Sequence, residues 1–133
     1  MTVKNINNKI IKELTERAKK QGWVFTFNKD EDVLFYSPEI IPDKAKLHSV
    51  NDEFSVYLDK KSNICGVVLE YCGHNFIKHH DEFTGYFKRL FNDGSKEDEK
   101  VLDPNKTKNK EVKSFTALFE RTLISEAAGA KIH

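Results

Sequence analysis

At Trp23 the apolar period of this chain changes from four residues to two, and that change constrains the fold more than any other feature. Before it, Ile6, Ile10, Leu14 and Ala18 recur every fourth residue, Ile11 widens the stripe, and lysines and glutamates fill the opposite side. Such spacing predicts an amphipathic helix. Thr2 suits its N-cap, Lys19 and Lys20 suit the negative end of its dipole, and Gly22 stands where a left-handed C′ residue is wanted. After it, "WVFTF" (23–27) and "VLFYS" (33–37) are rich in aromatic and β-branched residues and flank the polar loop "NKDED" (28–32), which predicts a hairpin.

Pro38 and Pro42 then stop regular pairing, so residues 38–46 read as an irregular connection and 47–50 as a short strand. "FSVYLD" (54–59) and "ICGVVLEY" (64–71) form a second hairpin across "KKSN" (60–63). Ile64, Val67, Val68 and Leu69 do not alternate with polar residues, which places that strand mid-sheet with both faces buried. From Asn75 the helical period returns, with His79, Phe83, Phe87 and Leu90 on one stripe. Residues 92–113 hold only Val101, Leu102 and Val112 as aliphatics and read as a polar linker or loop. Ser114 then suits the N-cap of a last amphipathic helix carrying Phe115, Leu118, Phe119 and Thr122.

The expected architecture is α+β: an antiparallel sheet of four or five strands, with the N-terminal helix and the C-terminal helices packed on one face. The expected organisation is a domain over residues 1–94, a flexible linker or loop over 95–113, and an amphipathic helix and tail over 114–133. That last helix, on a flexible tether, is expected to dock on its own sheet or on a second copy.

With 133 residues the chain is the size of one domain. The apolar runs fall short of the roughly 20 residues that a membrane span needs, and the first residues lack the apolar core of a secretion signal. Two cysteines in such a chain are expected to be reduced thiols, in a cytoplasmic protein. The net charge of +1 gives the whole molecule no pull toward polyanions. Both ends are nonetheless basic: residues 1–22 carry Lys4, Lys9, Lys12, Arg17, Lys19 and Lys20, and a second cluster spans 100–113. Nucleic-acid binding through Lys12, Lys19 and Lys20 is therefore one alternative.

Residues 27–36, "FNKDEDVLFY", with Phe27, Asn28, Asp32, Leu34 and Phe35, resemble the opening motif of a family of short bacterial and archaeal domains of unknown function. "VYLDKKSNICGVVLEY" (56–71), with Asp59, Ile64, Gly66 and Val67, resembles that family's second motif, although Ser62 replaces the usual turn glycine and Val68 a common acidic residue. The resemblance covers residues 24–72. It implies a β-meander and an antitoxin-like, protein-binding role, and it carries no catalytic residue. In the turns themselves, Asn28 and Asp32 suit hydrogen bonding to loop backbone, and Asn63 suits the left-handed conformation of the missing glycine.

"EYCGHNFIKHHDEF" (70–83) is the one stretch with the residue types of a metal site. Cys72, His74 and either His79 or His80 could ligate zinc, with Glu70 or Asp81 as a base. That is the second alternative, a metal-dependent hydrolase or nuclease. Paired ligand spacing is absent, however, and a strand leading into a helix capped by Asn75 accounts for the same residues. No phosphate-binding glycine loop, nucleophile elbow or His-Glu-x-x-His motif occurs. The leading expectation is a non-enzymatic protein-binding or regulatory module, free of cofactors and of membrane attachment. It would engage a protein partner or a second copy through Phe115, Leu118, Phe119, Phe35 and Tyr36.

Overall fold

The computed structural model describes residues 8–50, 54–71, 77–91 and 99–129, with residues 8–12, 77, 124 and 126–129 described by their backbone alone. The first helix, α1 (Asn8–Gln21), ends in a Schellman turn. Gly22 is left-handed at φ 63°, and the Trp23 N–H donates to the Ala18 carbonyl at 2.9 Å. Ala18 and Trp23 are both buried, which supplies the apolar contact that accompanies this motif. The chain leaves the turn as β1 (Val24–Asn28) and returns as β2 (Val33–Ser37), with Asn28 Oδ1 accepting the Glu31 N–H at 3.1 Å in the loop between them.

A meander of β3 (Lys46–Ser49), β4 (Phe54–Leu58) and β5 (Ile64–Leu69) follows. In the β4–β5 turn the left-handed residue is Ser62, at φ 64°, rather than Asn63 as the sequence predicts. Asp59 Oδ1 accepts both the Lys61 N–H (2.8 Å) and the Asn63 N–H (2.9 Å), so the chain must reverse at the residue between them. Gly66 lies beside a register shift at Tyr57/Leu58, and a Cβ on it would sit 3.2 Å from the Ser37 Cβ and 3.3 Å from the Tyr57 ring. A side chain there would push the Tyr57 ring or Ser37 away by a few tenths of an ångström.

The sheet has six strands, not the four or five expected, in the order β3-β4-β5-β2-β1-β6, with every neighbouring pair antiparallel. The sixth, β6 (Glu99–Leu102), arises inside the stretch that composition assigns to a linker. An edge strand needs little apolar sequence, since backbone pairing with β1 holds it and Leu102 alone reaches the core. As expected, β5 is buried along its whole length in the middle of the sheet.

The helix predicted from Asn75 is broken. Asn75 lies outside the described residues, α2 (Ile77–His79) is one turn, and His80 at φ −135° interrupts it before a 3₁₀ turn (Asp81–Phe83) and α3 (Thr84–Phe91). The last helix, α4 (Lys110–Gly129), starts a turn before the predicted Ser114. Asn109 caps it instead, its Oδ1 accepting the Glu111 N–H at 2.8 Å, and Glu111 pairs with Arg89 of α3 at 2.8 Å. The earlier start carries Val112 into the core. No helix among the described residues is long and apolar enough to cross a membrane.

The core fills one face of the sheet. Phe25 stacks on Tyr36 with ring centres 4.3 Å apart and meets Phe115, Phe119 and Phe91 edge-on at 5.1, 5.2 and 6.3 Å. Every buried side chain of the described helices joins this inner core.

Candidate functional site

Strand alternation sends the other half of the sheet's side chains to the outer face. The register aligns them in rows across the strands. One row runs Ser49, Ser55, Val68, Phe35, Thr26 and Val101, one residue from each strand. The next runs Leu47, Tyr57, Gly66, Ser37 and Val24. None of these eleven side chains is charged, in a chain of which 32% of residues are. Charge returns in the third row, where Asn28 lies between Val33 and Glu99, and at Asp103, which follows Leu102 at the end of β6.

The two rows are also apolar where they are accessible. Of the four exposed large hydrophobic residues among those described, Leu47 (46%) and Val101 (54%) stand at opposite ends of this face. Phe35 and Tyr57 are half-buried between them, over a floor of Val24, Val68, Ser37 and Ser55. The accessible part of this face is uncharged and apolar, which is uncommon on a solvated sheet face.

The residues expected to meet a partner divide accordingly. Tyr36, Phe115 and Phe119 are buried in the protein's own core and Leu118 packs at its margin, so these side chains of α4 complete the fold. Phe35 alone belongs to the outer face. It precedes Tyr36 by one residue and therefore points the other way.

The metal reading finds no support among the described residues. Cys72 and His74 lie outside them, His79 is exposed, His80 is half-buried with Nδ1 3.8 Å from Glu82 Oε1, and no three potential ligands come together. Cys65 is buried, its Sγ 3.5 Å from the Tyr57 carbonyl, and burial pushes its thiol pKa up, so it packs as a small hydrophobe. Lys19 and Lys20 are exposed on the last turn of α1, and Lys12 lies on the same helix.

One titratable cluster was not foreseen. Tyr36, Glu120, Thr15 and Lys19 meet at a hollow of 380 Å³ between α1, α4 and the loop after β6. Burial, reinforced by the charge of Glu120, holds the Tyr36 hydroxyl far above its usual range, so it stays protonated and is neither base nor nucleophile near neutral pH. Burial also raises the Glu120 carboxyl, against a Thr15 hydrogen bond and the Lys19 charge. A carboxyl raised on folding stabilises the fold below its unfolded value, and that contribution is lost as pH rises through the raised value. Glu120→Gln should therefore raise the thermal midpoint at about pH 7, and the gain over wild type should vanish by about pH 4. Paired melts at the two pH values test this, and a loss of stability at neutral pH would show that the Lys19 attraction dominates.

Comparison with protein-family models, with characterised proteins and with solved structures returns no match for this chain.

Proposed function

We propose that this protein is a binding module without chemistry of its own, and that it docks a second copy of itself, outer sheet face on outer sheet face. The observation that carries the reading is the pair of charge-free rows spanning the sheet. A partner with charges at this position would lose their hydration without compensation, whereas an identical face asks for none. Bulky and small residues also alternate across the strands: Tyr57 beside Gly66, and Phe35 beside Thr26. That relief lets two faces interdigitate, as stacked sheets do at about 10 Å, under a two-fold axis.

Six strands at about 4.8 Å, and the three residues that the two rows span along each strand at about 3.3 Å, give a strip of roughly 25 by 10 Å. That is smaller than standard specific interfaces, so the expected association is weak, with a dissociation constant in the upper micromolar range. In sedimentation equilibrium from about 1 to 200 µM, the mass should rise from the 15.4 kDa of the monomer toward twice that value. Phe35→Glu should hold the chain monomeric with an unchanged circular dichroism spectrum. Val101→Glu, at an exposed edge position that cannot threaten folding, should weaken association as well. A wild-type chain that stays monomeric throughout, or variants that associate as well as wild type, would overturn the proposal.

A further inference from the structure

Three separate parts of the chain converge beyond one end of the sheet. Residues 38–45 cross from β2 to β3 there, turning where the Ala45 N–H donates to the Pro42 carbonyl at 3.0 Å. The β4–β5 turn reaches the same place, pinned by the Asp59 carboxylate. From α1, Arg17 Nη1 donates to the Ile64 carbonyl at 3.3 Å. Between them lie two adjoining hollows of 650 and 580 Å³ that share Asp43, Lys44, Ala45, Asp59 and Lys60.

The lining is strongly positive in a chain of net charge +1. Arg17, Lys44, Lys46, Lys60 and Lys61 face it against two carboxylates, Asp43 and Asp59. Asp59 is already engaged: besides the two backbone N–H groups, its Oδ2 accepts from Asn63 Nδ2 at 3.4 Å. Partial burial works against its charge, but the N–H groups of Asn63 and Lys61, together with Arg17, more than offset this. Its oxygens serve the turn, and the lining still holds five cationic side chains against two carboxylates. A concave site that gathers so many cations around a small apolar floor (Ala45, Leu58, Pro42) concentrates anions.

We infer that this cleft binds a small molecule bearing two or more phosphate groups. Size and surroundings select this class over a nucleic acid. On the α1 side the neighbouring hollow sets Glu13 and Glu16 against Arg17 and Lys20, so the excess of positive charge is confined to the cleft and a long polyanion would meet carboxylates beyond it. The lining offers no Phe, Tyr or Trp ring for a base to stack on, so recognition falls on the phosphates. The site lies away from the outer-face rows and does not depend on the docking reading.

Titration calorimetry on the full chain tests it, with inorganic tripolyphosphate as probe beside diphosphate and orthophosphate. The expected result is one saturable site that binds tripolyphosphate tightest and weakens as salt rises. Lys44→Ala with Lys60→Ala should cost at least about tenfold in affinity. Lys88→Ala with Lys108→Ala makes the same net-charge change at exposed positions outside the cleft and should leave affinity within about twofold. Absence of saturable binding, or equal losses in the two double variants, would overturn the inference. A single-stranded oligonucleotide that binds through Lys44 and Lys60 more tightly per phosphate than tripolyphosphate would overturn it as well, in favour of a nucleic-acid site.

Discussion

A chain that stops at residue 98 is expected to lose its cooperative fold. Composition divides the sequence into a self-sufficient domain and a detachable helix, but the structure builds one core from both. The missing part contains β6, which pairs with β1 over four positions, and α4, which buries Val112, Phe115, Phe119 and Leu123. Burying a side chain of this kind is worth about 1.5–3 kcal/mol, so the four together account for roughly 6–12 kcal/mol. That upper estimate is comparable to the whole stability of a domain, about 5–15 kcal/mol. Truncation would also uncover Phe25, Tyr36, Phe83 and Phe91, whose rings touch those of α4. The truncated protein should show no sigmoidal urea transition and little near-ultraviolet circular dichroism. A transition with the midpoint and slope of the full chain would show that α4 is a dispensable tail.

The reason this was hidden in the sequence is local. β6 has two aliphatic residues among lysine and glutamate, and its strand character comes from the β1 edge it completes. The start of α4 was similarly obscured: Asn109 and Ser114 are both good caps, and only the contact of Glu111 with Arg89 and the burial of Val112 favour the earlier one. What could be read were features decided by neighbours in sequence. Gly22 ends α1, aromatic and β-branched runs become β1, β2, β4 and β5, and unbroken apolar character puts β5 mid-sheet.

The candidate sites were less legible because both are products of register and crossing. Phe35 and Tyr36 are adjacent in sequence and equally aromatic, yet one lies on the outer face and the other stacks on Phe25. Alternation from either residue would have sorted the hairpin, but the charge-free rows appear only once β5 is known to lie beside β2. The basic cleft joins Arg17 to residues 43–61, and no window of sequence contains it. Reading charge as blocks drew attention to the two ends of the chain. Lys19 and Lys20 lie there on the exposed last turn of α1, while four of the five cleft cations lie between residues 44 and 61.

Phe25→Ala should be the most costly single substitution in the protein. Phe25 is fully buried on β1, and its ring is the point where β2, α3 and α4 meet through Tyr36, Phe91, Phe115 and Phe119. Truncating a buried Phe costs about 3–5 kcal/mol, because the transfer energy is lost and a cavity remains. The upper half of that range is expected here, since four aromatic partners held by the sheet and by two helices cannot all collapse into the space. Phe25→Leu keeps most of the volume and should cost less than half as much. Val101→Ala, on the neighbouring edge strand but exposed, should stay within about 0.5 kcal/mol. Urea titrations of the three variants separate these outcomes by midpoint at constant slope. The same substitution bears on function, because Val24 and Thr26 flank Phe25 on β1 and project into the two outer rows. If the outer face depends on a β1 held rigid from inside, Phe25→Ala should weaken self-association at concentrations where the variant is still folded. A cost below about 1 kcal/mol would mean that the aromatic cluster repacks freely and that β1 is held by its backbone pairing alone.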